Sequence, residues 1–147
     1  MSASKGRSDM SQWKVLITKC DRERLMALLT RLRNWGDTPS EHLSALEERL
    51  ETATVVDTAD VPRSVITMNS LVGLRDVELN EKFGCTLSYP EDADVEKRKV
   101  SVTVPLGNRM LGKREGDTIE CPVASGLRTL RVERVYYQPE AARDFHL

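Results

Sequence analysis

Asp37 and Glu41 stand four residues apart, on either side of Thr38-Pro39-Ser40. Two carboxylates at that spacing can offer oxygen ligands to a hard divalent cation, or meet a basic partner surface. The same residues have an architectural use: Asp forms turns, and an acid in the first turn of a helix offsets the helix dipole. Other reactive side chains form no set. His42 and His146 are the only histidines, and with Cys20, Cys85 and Cys121 they show no metal-ligand spacing. Nothing selects a Cys–His nucleophilic pair. Gly107, Gly112 and Gly116 fit neither a phosphate loop nor a dinucleotide fingerprint. Two basic clusters remain, Lys97-Arg98-Lys99 and Lys113-Arg114, either a solvated face or a contact for an acidic partner.

The acidic pair needs an element to present it. Leu25, Leu28, Leu29, Leu32 and Trp35 recur at three- and four-residue steps, with Arg22, Glu23, Arg31 and Arg33 opposite. That spacing predicts an amphipathic helix starting near Asp21, with Trp35 on its packed stripe and a partner-anchor role for that ring as the alternative. Gly36-Asp37-Thr38-Pro39 breaks it, and Ser40 is placed to cap a second helix carrying Leu43, Leu46 and Leu50. Two leucine stripes joined by so short a break predict an antiparallel hairpin. At roughly 12–16 residues per helix and ~1.5 Å per residue it is only about 20 Å long, too small to stand without packing on the C-terminal part of the chain.

The basic clusters need a different frame. Thr52–Pro62 reads as a linker, after which the pattern turns to short β-type runs: Ser64–Met68, Leu71–Leu79, Cys85–Tyr89, Val100–Val104, Thr118–Cys121 and Leu127–Tyr137. Asn69-Ser70 reads as a turn and Glu91–Lys99 as a charged loop. Between the fourth and fifth runs, Pro105 ends a strand and opens a short helix with Leu106, Met110 and Leu111 on one face, which Gly112 can close. The basic clusters lie at the two edges of this strand–helix–turn unit.

Bulk properties narrow the function. The 147 residues carry 22 basic and 23 acidic side chains for a net charge of -1, unlike the strongly basic footprint of a general nucleic-acid binder. Strong direct nucleic-acid binding is not expected. No apolar run approaches the ~20 residues that span a bilayer. The first residues lack the apolar core of a signal peptide, so no membrane partner is expected and the cytosol is the expected location. Three widely spaced cysteines supply neither a disulfide framework nor a paired metal motif, and core or half-buried positions are expected for them.

Several separated segments then stand together: Val65-Ile66-Thr67-Met68-Asn69-Ser70, Tyr89-Pro90, Pro105-Leu106-Gly107, Leu111-Gly112, Gly116-Asp117, Tyr137-Gln138-Pro139-Glu140-Ala141-Ala142 and Asp144-Phe145. In this order they resemble the Rnk-like regulators of nucleoside diphosphate kinase within the GreA/GreB transcription elongation factor family, closely from Val65 onward and in layout only over the hairpin. The resemblance implies an α+β protein. A disordered leader at 1–13 precedes a helical hairpin (short coiled coil) at 14–54, and an FKBP-like antiparallel sheet domain with one short helix follows at 63–147.

It further implies a protein that docks at the secondary channel of RNA polymerase; the reading adopted is a monomer without cofactor, metal or catalytic residues that competes with Gre factors there. In Gre factors a long coiled coil carries tip acids that help hold a catalytic Mg²⁺ during transcript cleavage. A hairpin of about 20 Å argues against that delivery. The contact candidates, chosen by position, are Arg33, Asp37 and Glu41 at the tip, with Lys97, Arg98, Lys99, Arg109, Lys113 and Arg114 on the sheet domain. Three rival functions arise from the same resemblance. They are a Gre-like cleavage factor, a regulator that binds nucleoside diphosphate kinase directly, and an FKBP-like prolyl isomerase. The last is poorly served by a chain with 2 Trp, 3 Tyr and 2 Phe. The C-terminal Tyr136–Phe145 segment is expected to pack against the sheet.

Overall fold

A computed structural model describes residues 15–123 and 125–144. The leader expected at 1–13, and Phe145 and His146 of the tail, lie outside the described residues. Strand β1 (Leu16–Thr18) runs straight into helix α1 (Lys19–Trp35). Thr18, not Asp21, is the N-cap: its hydroxyl accepts the Asp21 N–H at 3.1 Å, the usual way a Thr satisfies an orphan donor of the first turn. Asp21 therefore sits inside the first turn and is buried, where its carboxylate accepts the Met68 N–H at 3.1 Å. The sequence places the start three residues late because Asp and Thr both cap well and only tertiary burial decides between them.

Helix α2 (Ser40–Thr52) returns against α1, and Leu25, Leu28 and Leu29 are buried with Leu43, Leu46 and Leu50. Pro39 occupies the cap position without a side-chain bond, so Ser40 is the first helical residue rather than the cap. Trp35 departs from its predicted place on the packed stripe: it is 84% exposed. It is the last residue of α1, beyond Leu29 and Leu32, where the hairpin turn leaves no helix opposite it.

The expected linker is structured. Strand β2 (Thr54–Val56) pairs in parallel with β1, Leu16 opposite Thr54 and Thr18 opposite Val56, and a 3₁₀ turn (Thr58–Asp60) comes next. A three-residue strand carries no readable period, and its partner lies beyond the whole hairpin in sequence. Residues 65–68 are buried but form no strand, and turns lie at 63–64 and 68–69. They make one isolated bridge, Val65 to Arg114, while Ile66 donates to the Lys113 carbonyl at 2.8 Å.

The main sheet contains β3 (Leu71–Asp76), β4 (Glu81–Ser88), β5 (Lys99–Ser101), β6 (Thr118–Val123) and β7 (Gly126–Tyr137), in the order β5-β4-β3-β7-β6. It is mixed, not wholly antiparallel as expected, because β5 lies parallel to β4. Strand β3 ends earlier than its apolar run: Asp76 Oδ1 accepts the Glu78 and Leu79 N–H groups, and Asn80 is left-handed at φ 56°, which turns the chain into β4. Strand β5 also stops early. The Ser101 hydroxyl accepts the Thr103 N–H at 3.1 Å, a local bond that competes with the ladder and bends the backbone.

Helix α3 (Pro105–Met110) opens on proline as predicted. Two glycines around it are steric requirements. A Cβ on Gly107 would lie 1.9 Å from the Ser101 carbonyl oxygen, and one on Gly112, at φ 81°, would lie 2.1 Å from Val15 Cγ1. The Pro-Leu-Gly and Leu-Gly segments are thus the places where α3 presses against β5 and against the base of the hairpin. The C-terminal strap, α4 (Pro139–Ala142), is held by Gln138. Its Nε2 donates to the carbonyls of Pro62 and Val65 at 2.7 and 2.8 Å, and Thr67 donates to Glu140 at 2.6 Å. Residues 138–140 of the tail are thus tied to the 62–67 segment rather than laid on the sheet as expected, and Tyr136 is exposed. One core cluster joins both halves: Leu25, Leu43 and Leu46 of the hairpin are contiguous with Leu74, Leu87, Met110 and Val132 of the sheet. Cys85 and Cys121 belong to it, whereas Cys20 is exposed.

Candidate functional site: tip, edge loop and basal cleft

The hairpin tip is an exposed group of side chains on a short turn. Asp37 and Glu41 are exposed, as is Trp35 between the two helix ends. Arg33 does not project freely. Its guanidinium grips Glu47 of α2 with Nη2–Oε1 at 2.6 Å and Nη1–Oε2 at 3.3 Å, a bidentate tie across the hairpin. That bond raises the Arg33 pKa and lowers that of Glu47. Among the described residues no group of three or more His, Cys, Asp or Glu side chains is arranged to hold a metal ion.

The second region is the loop before β5. Asp94 Oδ1 accepts the N–H groups of Glu96 and Lys97, and Arg98 is left-handed at φ 55°, so a tight turn sets Lys97 and Arg98 in solvent. Lys99 enters β5 and is half-buried. Arg98 and Lys99 border an apolar cleft of about 480 Å³ that Phe83, Val95, Val100 and Val104 line. Val95 is 93% exposed at its rim.

The third region is basal, where the hairpin meets α3 and β6. Arg109, from the last turn of α3, and Lys113, just beyond Gly112, line one cleft of about 500 Å³. Arg49 of α2 lines it with them and donates from Nη2 to the Leu111 carbonyl at 2.5 Å. Burial and the neighbouring Arg109 guanidinium push the Arg49 pKa down. Arg114 stands apart: its N–H bonds to Asp117 Oδ2 at 2.8 Å, and its Nε is buried.

The structure thus brings Arg109 and Lys113 together, turns Arg33 onto Glu47, and uses Arg114 in a turn. Sequence reasoning missed Arg49, whose position among Glu47, Glu48 and Glu51 reads as the ordinary polar face of a helix. It also missed the burial of Asp21. That carboxyl is pushed up to about 6, chiefly by burial and then by the nearby Glu140 charge, against the opposing bond from Met68 N–H. It lines a cleft of about 330 Å³ with Arg24, Cys20, Glu140 and Asp144, and the Arg24 guanidinium stacks 4.9 Å from the centre of the Tyr89 ring. The buried Tyr89 hydroxyl has its pKa raised, again mainly by burial.

Comparison with known proteins agrees with this architecture. The family profile described as "Transcription elongation factor, GreA/GreB, C-term" matches residues 61–137. The chain is 34% identical to the "Regulator of nucleoside diphosphate kinase" of Escherichia coli strain K12 over 139 residues, 94% of this chain and 100% of that protein. It is 36% identical to a transcription elongation factor GreA of Chloroherpeton thalassium over 90 residues, 61% of this chain and 57% of that one. Among solved structures, the transcription elongation factor GreA/GreB of Nitrosomonas europaea superimposes with a TM-score of 0.70 at 38% identity, covering 84% of this chain and 98% of that one. An N-terminal helical hairpin on a mixed sheet with a short helix, matched over the sheet by the family profile and over nearly its whole length by a regulator of that group, establishes that the chain belongs to the GreA/GreB transcription elongation factor family.

Proposed function

We propose that this protein regulates transcription by binding RNA polymerase at its secondary channel, and that it competes there with Gre factors without promoting transcript cleavage. The observation that carries the reading is the size and chemistry of the hairpin. Its helices have 17 and 13 residues, about 25 and 20 Å at ~1.5 Å per residue, and end in an exposed Trp35, Asp37 and Glu41. In this reading the sheet domain, residues 63–147, docks and the hairpin, residues 14–54, probes. Two acids at the end of so short an arm serve as partner contacts rather than as carriers of a metal into an active site. Lys97, Arg98, Lys99, Arg109, Lys113 and Arg114 are the proposed contacts on the sheet domain, with Arg33 acting by fixing the hairpin. Among the described residues no helix is long and apolar enough to cross a membrane, and the cytosol is the proposed location.

The test is co-migration of the full chain with core RNA polymerase on a sizing column, with and without a Gre factor. Binding that a Gre factor displaces is expected; absence of binding, or binding without displacement, sinks the reading. A stalled elongation complex given this protein and Mg²⁺ is expected to keep its transcript length, and shortening would restore the cleavage alternative. A second reading, direct binding to nucleoside diphosphate kinase, is favoured by the full-length alignment with the E. coli regulator. Parallel pull-downs with the kinase and with polymerase separate the two.

A further inference from the structure

Three cations converge on the basal cleft. Arg49 comes from the last turn of α2, while Arg109, in the last turn of α3, and Lys113, just after Gly112, lie four residues apart, so two stretches distant in sequence meet there. Among the described residues none of the three forms an ion pair; the acid on the cleft wall, Glu120, stands unpaired with them. Burial and Arg109 both disfavour the Arg49 charge. The Arg49 Nε is buried with no acceptor, although Nη2 is satisfied by the Leu111 carbonyl. Holding the partly desolvated Arg49 guanidinium beside a second guanidinium costs stability unless something negative offsets the charge.

The other lining groups say what that would be. Thr118 and Thr129 line the same wall, and guanidinium forks suit the tetrahedral oxygens of a phosphoryl group better than they suit a chloride ion. At about 500 Å³ the cleft exceeds the size of one phosphate and admits a diphosphate. We propose that the cleft lined by Arg49, Arg109 and Lys113 binds a small phosphorylated anion at the seam between hairpin and sheet. Occupancy would tie α2 to α3 through the ligand, so the site is placed to stiffen the hairpin base. Arg109 and Lys113 are also proposed polymerase contacts, but the inference concerns a ligand of the isolated chain, so its test succeeds or fails whether or not polymerase binds.

The probe is pyrophosphate, titrated into the full chain at fixed ionic strength by isothermal calorimetry and by the shift in thermal unfolding midpoint. Saturable binding with a rise in midpoint is expected. Arg109→Gln with Lys113→Gln is expected to weaken affinity at least about tenfold, since charge-assisted contacts are lost. Glu120→Gln is expected to strengthen it roughly two- to fivefold, as one opposing charge is removed from the wall. Amide spectra of the variants report that they fold. Binding that is absent in the parent chain overturns the proposal, as does affinity unchanged in the double variant. A short oligonucleotide that binds through these residues while pyrophosphate does not also overturns it, because the cleft would then serve a nucleic-acid backbone.

Discussion

The two ends of the hairpin are built on opposite rules. At the tip, Trp35, Asp37 and Glu41 are exposed on a turn that no other described element covers. At the base, Asp21 is buried against Met68, Arg49 is drawn onto Leu111, and Gly107 and Gly112 leave no room for a side chain. One end is fixed by the core and holds charges where burial opposes them. The other is free of packing, so its residues can be chosen for a partner. The unpacked end and the anchored end are thus separated by the length of the hairpin.

The strongest challenge to this contrast is at the base. Gly107→Ala is expected to destabilise the fold by more than about 3 kcal/mol in urea denaturation, because its Cβ meets backbone rather than a movable side chain. A loss under about 1 kcal/mol would mean that α3 can lift from β5 and that the base is softer than described.

The next test is in pH. Asp21 has its pKa raised from 3.8 to about 6 in the folded chain. An acid shifted upward binds its proton more tightly when folded. Its stabilising contribution is therefore complete below 3.8 and is lost as pH rises through about 6. A gap of about two pH units corresponds to about 3 kcal/mol. Asp21→Asn, which keeps an acceptor for Met68 N–H, is expected to remove that part of the pH dependence and to be the more stable form at about pH 7. Denaturation curves of both proteins, taken on either side of the folded pKa, would change equally with pH if the carboxyl were in fact solvated.

At the tip the effects shrink. Trp35→Ala is expected to change stability by less than about 0.5 kcal/mol, as exposed substitutions usually do, while weakening the proposed polymerase complex. A large loss of stability would return the ring to the packed stripe that its spacing suggested. Smallest of all is the Arg33–Glu47 tie. Removing either partner is expected to leave the unfolding midpoint unchanged at high salt and to broaden only the amide signals of the last turn of α1, read by NMR.

The same contrast governs what could be read from sequence. Both helices were legible because Leu25, Leu28, Leu29 and Leu43, Leu46, Leu50 recur at local spacings that only burial explains. Strand β2 and the arrest of β5 at Ser101 were not, since one depends on a partner across the hairpin and the other on a hydroxyl bond two residues away. Trp35 shows the limit of periodicity, which assigns a face but not where the opposing helix stops. Arg109 and Lys113 were visible as basic residues near a glycine. Their joining with Arg49 was not, because the three meet only after α2 has packed on α3.

The parallel β1–β2 pair gives the hairpin a different character from a simple arm. Its entry and exit are registered to each other, Leu16 to Thr54 and Thr18 to Val56, at the ~4.8 Å of neighbouring strands. Because both ends are stapled at one place, the number of turns between them is not fixed by the rest of the fold. Whole turns inserted equally into α1 and α2 would carry Asp37 and Glu41 outward by about 5.4 Å each and leave Gly112 in its place against Val15. The ribbon holds entry and exit of the hairpin together, so the reach of the tip is a quantity that can change without the sheet changing with it.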